Sequence, residues 1–193
     1  MTVVSDNLIE KIPFGLADYT FSDLDGSNPV KFDGLEFFQS EGGELKLAPM
    51  LKDISVADFG ETVIEQIITG YTGSLTFSAA QQDMKILQLA MSFTEPITAA
   101  VGGETVGLMD AKIGTRLSKK AKKVTIHPRI MGDDKSLDIT IYKVVSNGDF
   151  TRGFGNEQGN IPVSMSMMPR DGMDASKPGN FFYVGPTDPN AVA

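Results

Sequence analysis

The sequence predicts a mainly β domain: a sandwich or barrel of about eight strands with one flanking α-helix. Three observations lead there. Several segments alternate apolar and polar residues with period two, which places one face of a strand inward and the other outward. Only one stretch carries apolar residues at helical spacing. Twenty glycines and ten prolines punctuate the chain between these segments, as turns between short strands require.

The elements follow in order. Residues 17–23 (ADYTFSD) alternate and run into the turn-rich DLDGSNP; residues 31–38 are a second strand candidate, closed by Glu41-Gly42-Gly43. Residues 44–47 alternate until Pro49, and residues 52–60 read as a loop. TVIEQIIT at 62–69 is β-branched and half-apolar on both faces, which suits a strand covered on both sides or an edge at a subunit contact. GSLTFSA at 73–79 gives the clearest alternation, with Leu75, Phe77 and Ala79 opposite Ser74, Thr76 and Ser78. Ser78 with Gln81 three residues on makes a capping box for a helix over 79–91, whose Met84, Leu87 and Met91 share a face beside Ile86 and Ala90. Pro96 is expected to end that region. Residues 105–114 are a weaker strand. Residues 122–130 and 137–145, joined through GDDKS, read as a hairpin, and 161–167 as a further strand with Ile161, Val163, Met165 and Met167 on one face. Beyond Pro169 the chain is rich in Pro, Gly, Asp and Asn, and reads as an extended arm or partly ordered terminus.

Composition narrows the chemistry. The chain of 193 residues is 41% hydrophobic, sufficient for one domain with a core, and carries a formal net charge of −8. Such an acidic chain is ill suited to wrapping phosphate backbones, whose binding rests on Lys and Arg. Without cysteine there are no disulfides, thiol nucleophiles or thiolate metal sites, which fits a reducing compartment. No apolar run is long enough for a membrane helix, and MTVVSDNLIEKIPFG lacks the basic-then-apolar order of a secretory signal. The charge is uneven: the first 65 residues hold 13 acids and 4 bases, the rest 12 acids and 13 bases.

Candidate catalytic patterns are sparse. His127 is the single histidine and lies mid-strand beside Pro128, where a structural role is expected. The phosphate-cradle pattern is absent, and Gly153-Phe-Gly155-Asn-Glu-Gln-Gly159 has the wrong spacing for a dinucleotide loop. Asp23-Leu-Asp25-Gly26 lacks the spacing and closing Glu of a calcium loop and reads as a turn. A carboxylate pair for glycoside hydrolysis stays open as a pattern, but the chain has no Trp and four Tyr as sugar platforms. No catalytic, cofactor or metal site is assigned, and the expectation is a protein that is not an enzyme. One basic run stands out: Arg116, Lys119, Lys120, Lys122 and Lys123. It reads as a solvated loop, as a contact for Asp53, Asp58, Glu61 and Glu65 of an adjacent copy, or, without interleaved aromatics, less readily as a nucleic-acid patch.

The stretch TIHPRIMGDDKSLDITIYKVVSNGDF, with QGNIPVSMSMM after it, resembles the tail tube (major tail) proteins of long-tailed bacteriophages. The similarity rests on His127-Pro128, the strand from Asp138 to Tyr142, the Ile161-Pro162-Val163 strand, and GYTGSLTFSAAQQDMKILQLA at 70–90; it covers roughly 53–170. The resemblance implies a subunit that forms stacked, hexameric rings around a tape-measure protein, capped by tail terminator and tip proteins. Double-stranded DNA would pass through the tube without specific binding. It implies a place in the virion tail, assembled in the host bacterial cytoplasm, with no membrane insertion and no cofactor. On that reading 1–168 is a single tube domain, the loop at 43–60 a contact between rings, and 169–193 a C-terminal arm. The lumen wall should be polar and not basic, and Ser74, Thr76, Ser78, Asp138 and Thr140 are the candidates for it. The competing expectations are a carbohydrate-binding or adhesive β-sandwich, using an aromatic such as Tyr71 or Tyr183, and a hydrolase with a carboxylate pair.

Overall fold

The computed structural model describes residues 15–156 and 158–190. The N-terminal stretch read for a leader lies almost wholly outside them. Ten strands, one α-helix and three short 3-10 turns make up the described chain, and the fold is mainly β with a single flanking helix.

The strands are β1 (Ala17–Ser22), β2 (Val30–Phe32), β3 (Gln39–Ser55), β4 (Val63–Ala79), β5 (Thr94–Thr98), β6 (Thr105–Asp110), β7 (Lys122–Pro128), β8 (Ile139–Val145), β9 (Ile161–Met168) and β10 (Phe182–Val184). The large antiparallel sheet runs β2-β1-β7-β8-β9-β4-β3, with β10 on β8; β5 and β6 form a separate pair. The sheet curls over one core. Phe21 of β1 and Phe32 of β2, near one border, meet Phe77 of β4, near the other, at ring-centroid distances of 5.8 and 4.8 Å. Tyr19 stacks on Phe77 at 4.8 Å. The Gln39 amide donates to the carbonyls of Ala17 and Phe32 at 2.7 and 3.0 Å, closing the start of β3 over β1 and β2. Leu75, Phe77 and Ala79 are buried in this core with Val124, Ile126, Ile141, Val163 and Met165, as the alternation predicts.

Four readings need correcting. The helix, α1, spans Met84–Ala90 and not 79–91. Its N-cap is Asp83, whose carboxylate accepts from the Lys85 N–H at 2.8 Å. Ser78 is still in β4, and Gln81 instead accepts from the Phe38 N–H at 2.7 Å. The buried face of α1 is Ile86, Leu89 and Ala90. Second, the strand at 31–38 stops at Phe32, because the Asp33 carboxylate accepts from the N–H groups of Leu35 and Glu36 and turns the chain. Third, Pro96 lies inside β5, where pairing with β6 tolerates it on a two-stranded ribbon. Fourth, the strands at 44–47, 62–69 and 73–79 and the loop at 52–60 are parts of one long hairpin of two 17-residue strands, β3 and β4. Pro49 sits opposite Tyr71 within it, and a 3-10 turn at Ala57–Phe59 closes its tip.

Candidate assembly surfaces

The hairpin is the dominant surface feature. β4 pairs with β9 only from Ser74 to Ala79, so the backbone of its outer half is paired with β3 alone. At about 3.4 Å per residue, the part beyond Leu47 and Gly73 projects about 30 Å from the core. Among the described residues, β3 is a sheet edge along its whole length, and β4 is an edge from Val63 to Gly73. Apolar side chains stand exposed on both faces of this ribbon. The cross-strand pair of Leu51 and Ile68 marks one face; Met50 and Ile67 lie on the other. The tip adds Ile64 and Phe59, which is 69% exposed. A ribbon of this kind leaves its apolar side chains uncovered by its own chain, and its unpaired edges offer main-chain donors and acceptors to another.

The predicted polar face is partly where the sequence put it. Ser74, Thr76 and Ser78 point away from the core, in register with Ser166, Ser164 and Pro162 of β9 and with Lys46, Glu44 and Glu41 of β3. The result is a short hydroxyl-lined field bordered by two carboxylates and one lysine. Asp138 and Thr140 do not join it. They are 6% and 2% exposed: β10 pairs edge-on with β8 across Ile139–Ile141, and Asp188 and Asn190 fold onto Tyr142 of the same strand. Thr140 hydrogen-bonds Thr125 at 3.2 Å, and Asp138 binds His127. These two are therefore withdrawn as lumen-wall residues.

Of the stretch 169–193, read as an extended arm or partly ordered terminus, residues 169–190 are packed on the domain. β10 pairs with β8, the Tyr142 hydroxyl donates to Asp188 at 2.7 Å, and the Asn190 amide donates to the Tyr142 hydroxyl at 2.9 Å. Burial, with Asp188 beside it, pushes the Tyr142 phenol up to about 12. Lys143, 5% exposed, reaches Asp171 at 2.5 Å. Tyr71 packs on Phe181 and Phe182, and Tyr183 on Tyr142, so both aromatics named for sugar binding serve this internal seam.

The charged candidates separate into two groups. Asp53, Asp58, Glu61 and Glu65 lie together on the outer hairpin and its tip, all exposed, with the Gln66 amide donating to Asp53 at 2.8 Å. The basic run lies at the opposite end of the sheet. β7 starts there at Lys122, on the side where β9 starts at Ile161 opposite Ala79. Three of its members have partners inside the same chain: Lys120 with Glu95 at 2.6 Å, Lys122 with Asp23 at 2.5 Å and Lys123 with Asp188 at 3.7 Å. The hydrogen bond from Lys122 holds the Asp23 carboxyl below its usual range. Arg116 and Lys119 are exposed and have no ion pair among the described residues.

His127 donates from Nδ1 to the Asp138 carboxylate at 2.5 Å and from Nε2 to the Gly132 carbonyl at 2.8 Å. Two acceptors demand two ring protons, so the geometry is that of an imidazolium. The Asp138 hydrogen bond raises the pKa of His127 above its ordinary value. Among the described residues the ring's hydrogen-bond partners are Asp138 and Gly132, and the arrangement clamps β7 to the start of β8. Among the described residues no group of three or more His, Asp or Glu side chains is placed to hold a metal ion, and no helix is long and apolar enough to cross a membrane. No protein-family model matches the sequence, and no curated protein matches it.

Proposed function

We propose that this chain is the structural subunit of a phage tail tube, assembling as stacked, hexameric rings that form a conduit for DNA ejection. The single observation that carries the reading is the long hairpin, with apolar side chains on both faces and two unpaired edges. Contacts between copies would cover those side chains and edges, joining rings through the outer hairpin, the part first read as the loop at 43–60. The hydroxyl field around Ser74, Thr76 and Ser78 supplies a wall on which DNA slides without adhering. The similarity of the segments around His127, Asp138 and Ile161 to tail tube proteins supports the same reading. A tape-measure protein inside the tube, terminator and tip proteins at its ends, and a place in the virion tail follow from it, with no catalytic step assigned to the subunit.

Electron microscopy of the purified protein in negative stain tests this. Rings or tubes are expected, with light scattering that grows with concentration. A monomer that persists at high concentration and low salt overturns the reading.

A further inference from the structure

We propose that the acidic hairpin tip of one copy seats in a lysine-lined cleft at the opposite end of a second copy, head to tail. The inference rests on the tube-subunit reading and names the two surfaces that would join along the stack.

The cleft has a volume of about 750 Å³ and lies between the turn after β1, helix α1 and the β5–β6 ribbon. Lys85, Lys119, Lys120 and Lys122 line it, against the carboxylates of Asp23 and Glu95. Those two carboxylates hold Lys122 and Lys120, which leaves Lys85 and Lys119 without an ion pair among the described residues. The floor is apolar: Phe21, Leu89 and Ala121 are all buried there. The tip is complementary in both respects. It carries Asp53, Asp58, Glu61 and Glu65 against Lys52 alone, and it presents Phe59 at 69% exposure beside Ile64. An exposed aromatic flanked by carboxylates matches an apolar floor ringed by ammonium groups.

Topology makes the occupant a second copy. β4 runs from the tip at Val63 to the root at Ala79, and α1 follows the root. β1 ends and β7 begins on the root side, so the cleft opens there, away from the tip. A contact between opposite ends of identical chains is heterologous and repeats in one direction, which builds a stack and not a closed dimer.

Charge reversal tests the pairing. One variant carries Asp53→Lys, Asp58→Lys, Glu61→Lys and Glu65→Lys; the other carries Lys85→Glu and Lys119→Glu. All six positions are exposed or half-buried surface, and circular dichroism checks that the fold is kept. Sedimentation should show the stacked fraction of each variant alone falling by about tenfold or more. An equimolar mixture should restore it, because each reversed surface then meets its complement on the other variant. As a second measurement, the chain has no native cysteine, so Asp58→Cys with Lys119→Cys should give a ladder of disulfide-linked multimers. Asp58→Cys with Lys135→Cys, in the β7–β8 turn, should not. Wild-type assembly with unaffected variants, or no ladder from the first cysteine pair, overturns the docking while leaving the tube reading intact. A wild-type chain that never assembles overturns the tube reading itself.

Discussion

At the scale of single residues, His127 shows how a lone histidine on a strand is put to structural use. Asp138 accepts its Nδ1 proton, Asp18 of β1 lies opposite it in register, Asp134 adds negative charge from the turn, and Arg129 is engaged with Asp18 at 2.5 Å. The proton is held more tightly in the folded chain than in the unfolded one. The clamp therefore stabilises the fold fully below the ordinary histidine value of about 6.5 and loses that contribution as pH rises through the raised value. His127→Gln should cost about 1–2 kcal/mol under mildly acidic conditions, since the 6%-exposed Asp138 loses a charged partner. Thermal melts from about pH 6 to pH 9 check it: the wild-type midpoint should fall as pH rises above the ordinary histidine value, and the variant's should not. The sequence exposed the histidine but not its partner. Asp138 alternates with apolar neighbours as a solvent-facing residue would, and it is buried where β10, distant in sequence, pairs edge-on with the start of β8.

At the scale of elements, the long hairpin depends on its glycines unequally. A register shift between Glu41 and Glu44 brings Gly43 against the core, beside the Tyr19 hydroxyl. A Cβ at Gly43 would fall on that hydroxyl and lie 2.7 Å from the Thr76 carbonyl oxygen and 2.9 Å from Phe77 Cβ. Two of the three obstacles belong to the β4 neighbour and cannot swing aside. Gly43→Ala should therefore cost about 1–3 kcal/mol of overpacking. At Gly70, in the projecting half, a Cβ would meet only the Met50 sulfur at 3.4 Å. Gly70→Ala should change stability by about 0.5 kcal/mol or less. Urea midpoints of the two variants measure the contrast, and equal losses would refute the distinction between the anchored root and the free outer ribbon. The hairpin as a unit was illegible in the sequence for the same reason. Pro49, Gly70 and Gly73 read as stops when each segment is taken alone, but pairing along β3 and β4 carries the strands through them. The inner half, where Leu75, Phe77 and Ala79 alternate into the core, was legible because burial there follows local periodicity.

At the scale of the whole molecule, the two parts the sequence left outside the core have opposite standing. The hairpin beyond Met50 and Gly70 contributes little to the core, while the C-terminal segment, with its turn-rich composition, seals β8. Its strand of three residues is too short to announce itself by alternation, and its contacts reach far back along the chain, as over the 48 residues from Asn190 to Tyr142. The consequence is a pair of deletions with contrasting outcomes. Replacing residues 51–69 by a two-residue Asn-Gly turn should leave a folded chain, because Met50 and Gly70 already face each other across the ladder. Ending the chain at residue 168 removes β10, three aromatic contacts and the partners of Tyr142 and Lys143. That loss should cost about 3–6 kcal/mol, from aromatic pairs of about 1 kcal/mol each and hydrogen bonds of similar size. Chemical denaturation of both chains reads the difference. The hairpin deletion should keep a cooperative transition near the wild-type midpoint and abolish assembly, whereas the truncation should unfold at much lower denaturant. If the truncated chain were as stable as the whole, the packing of residues 169–190 on β8 would carry no stability and the segment would be an arm free to leave the domain.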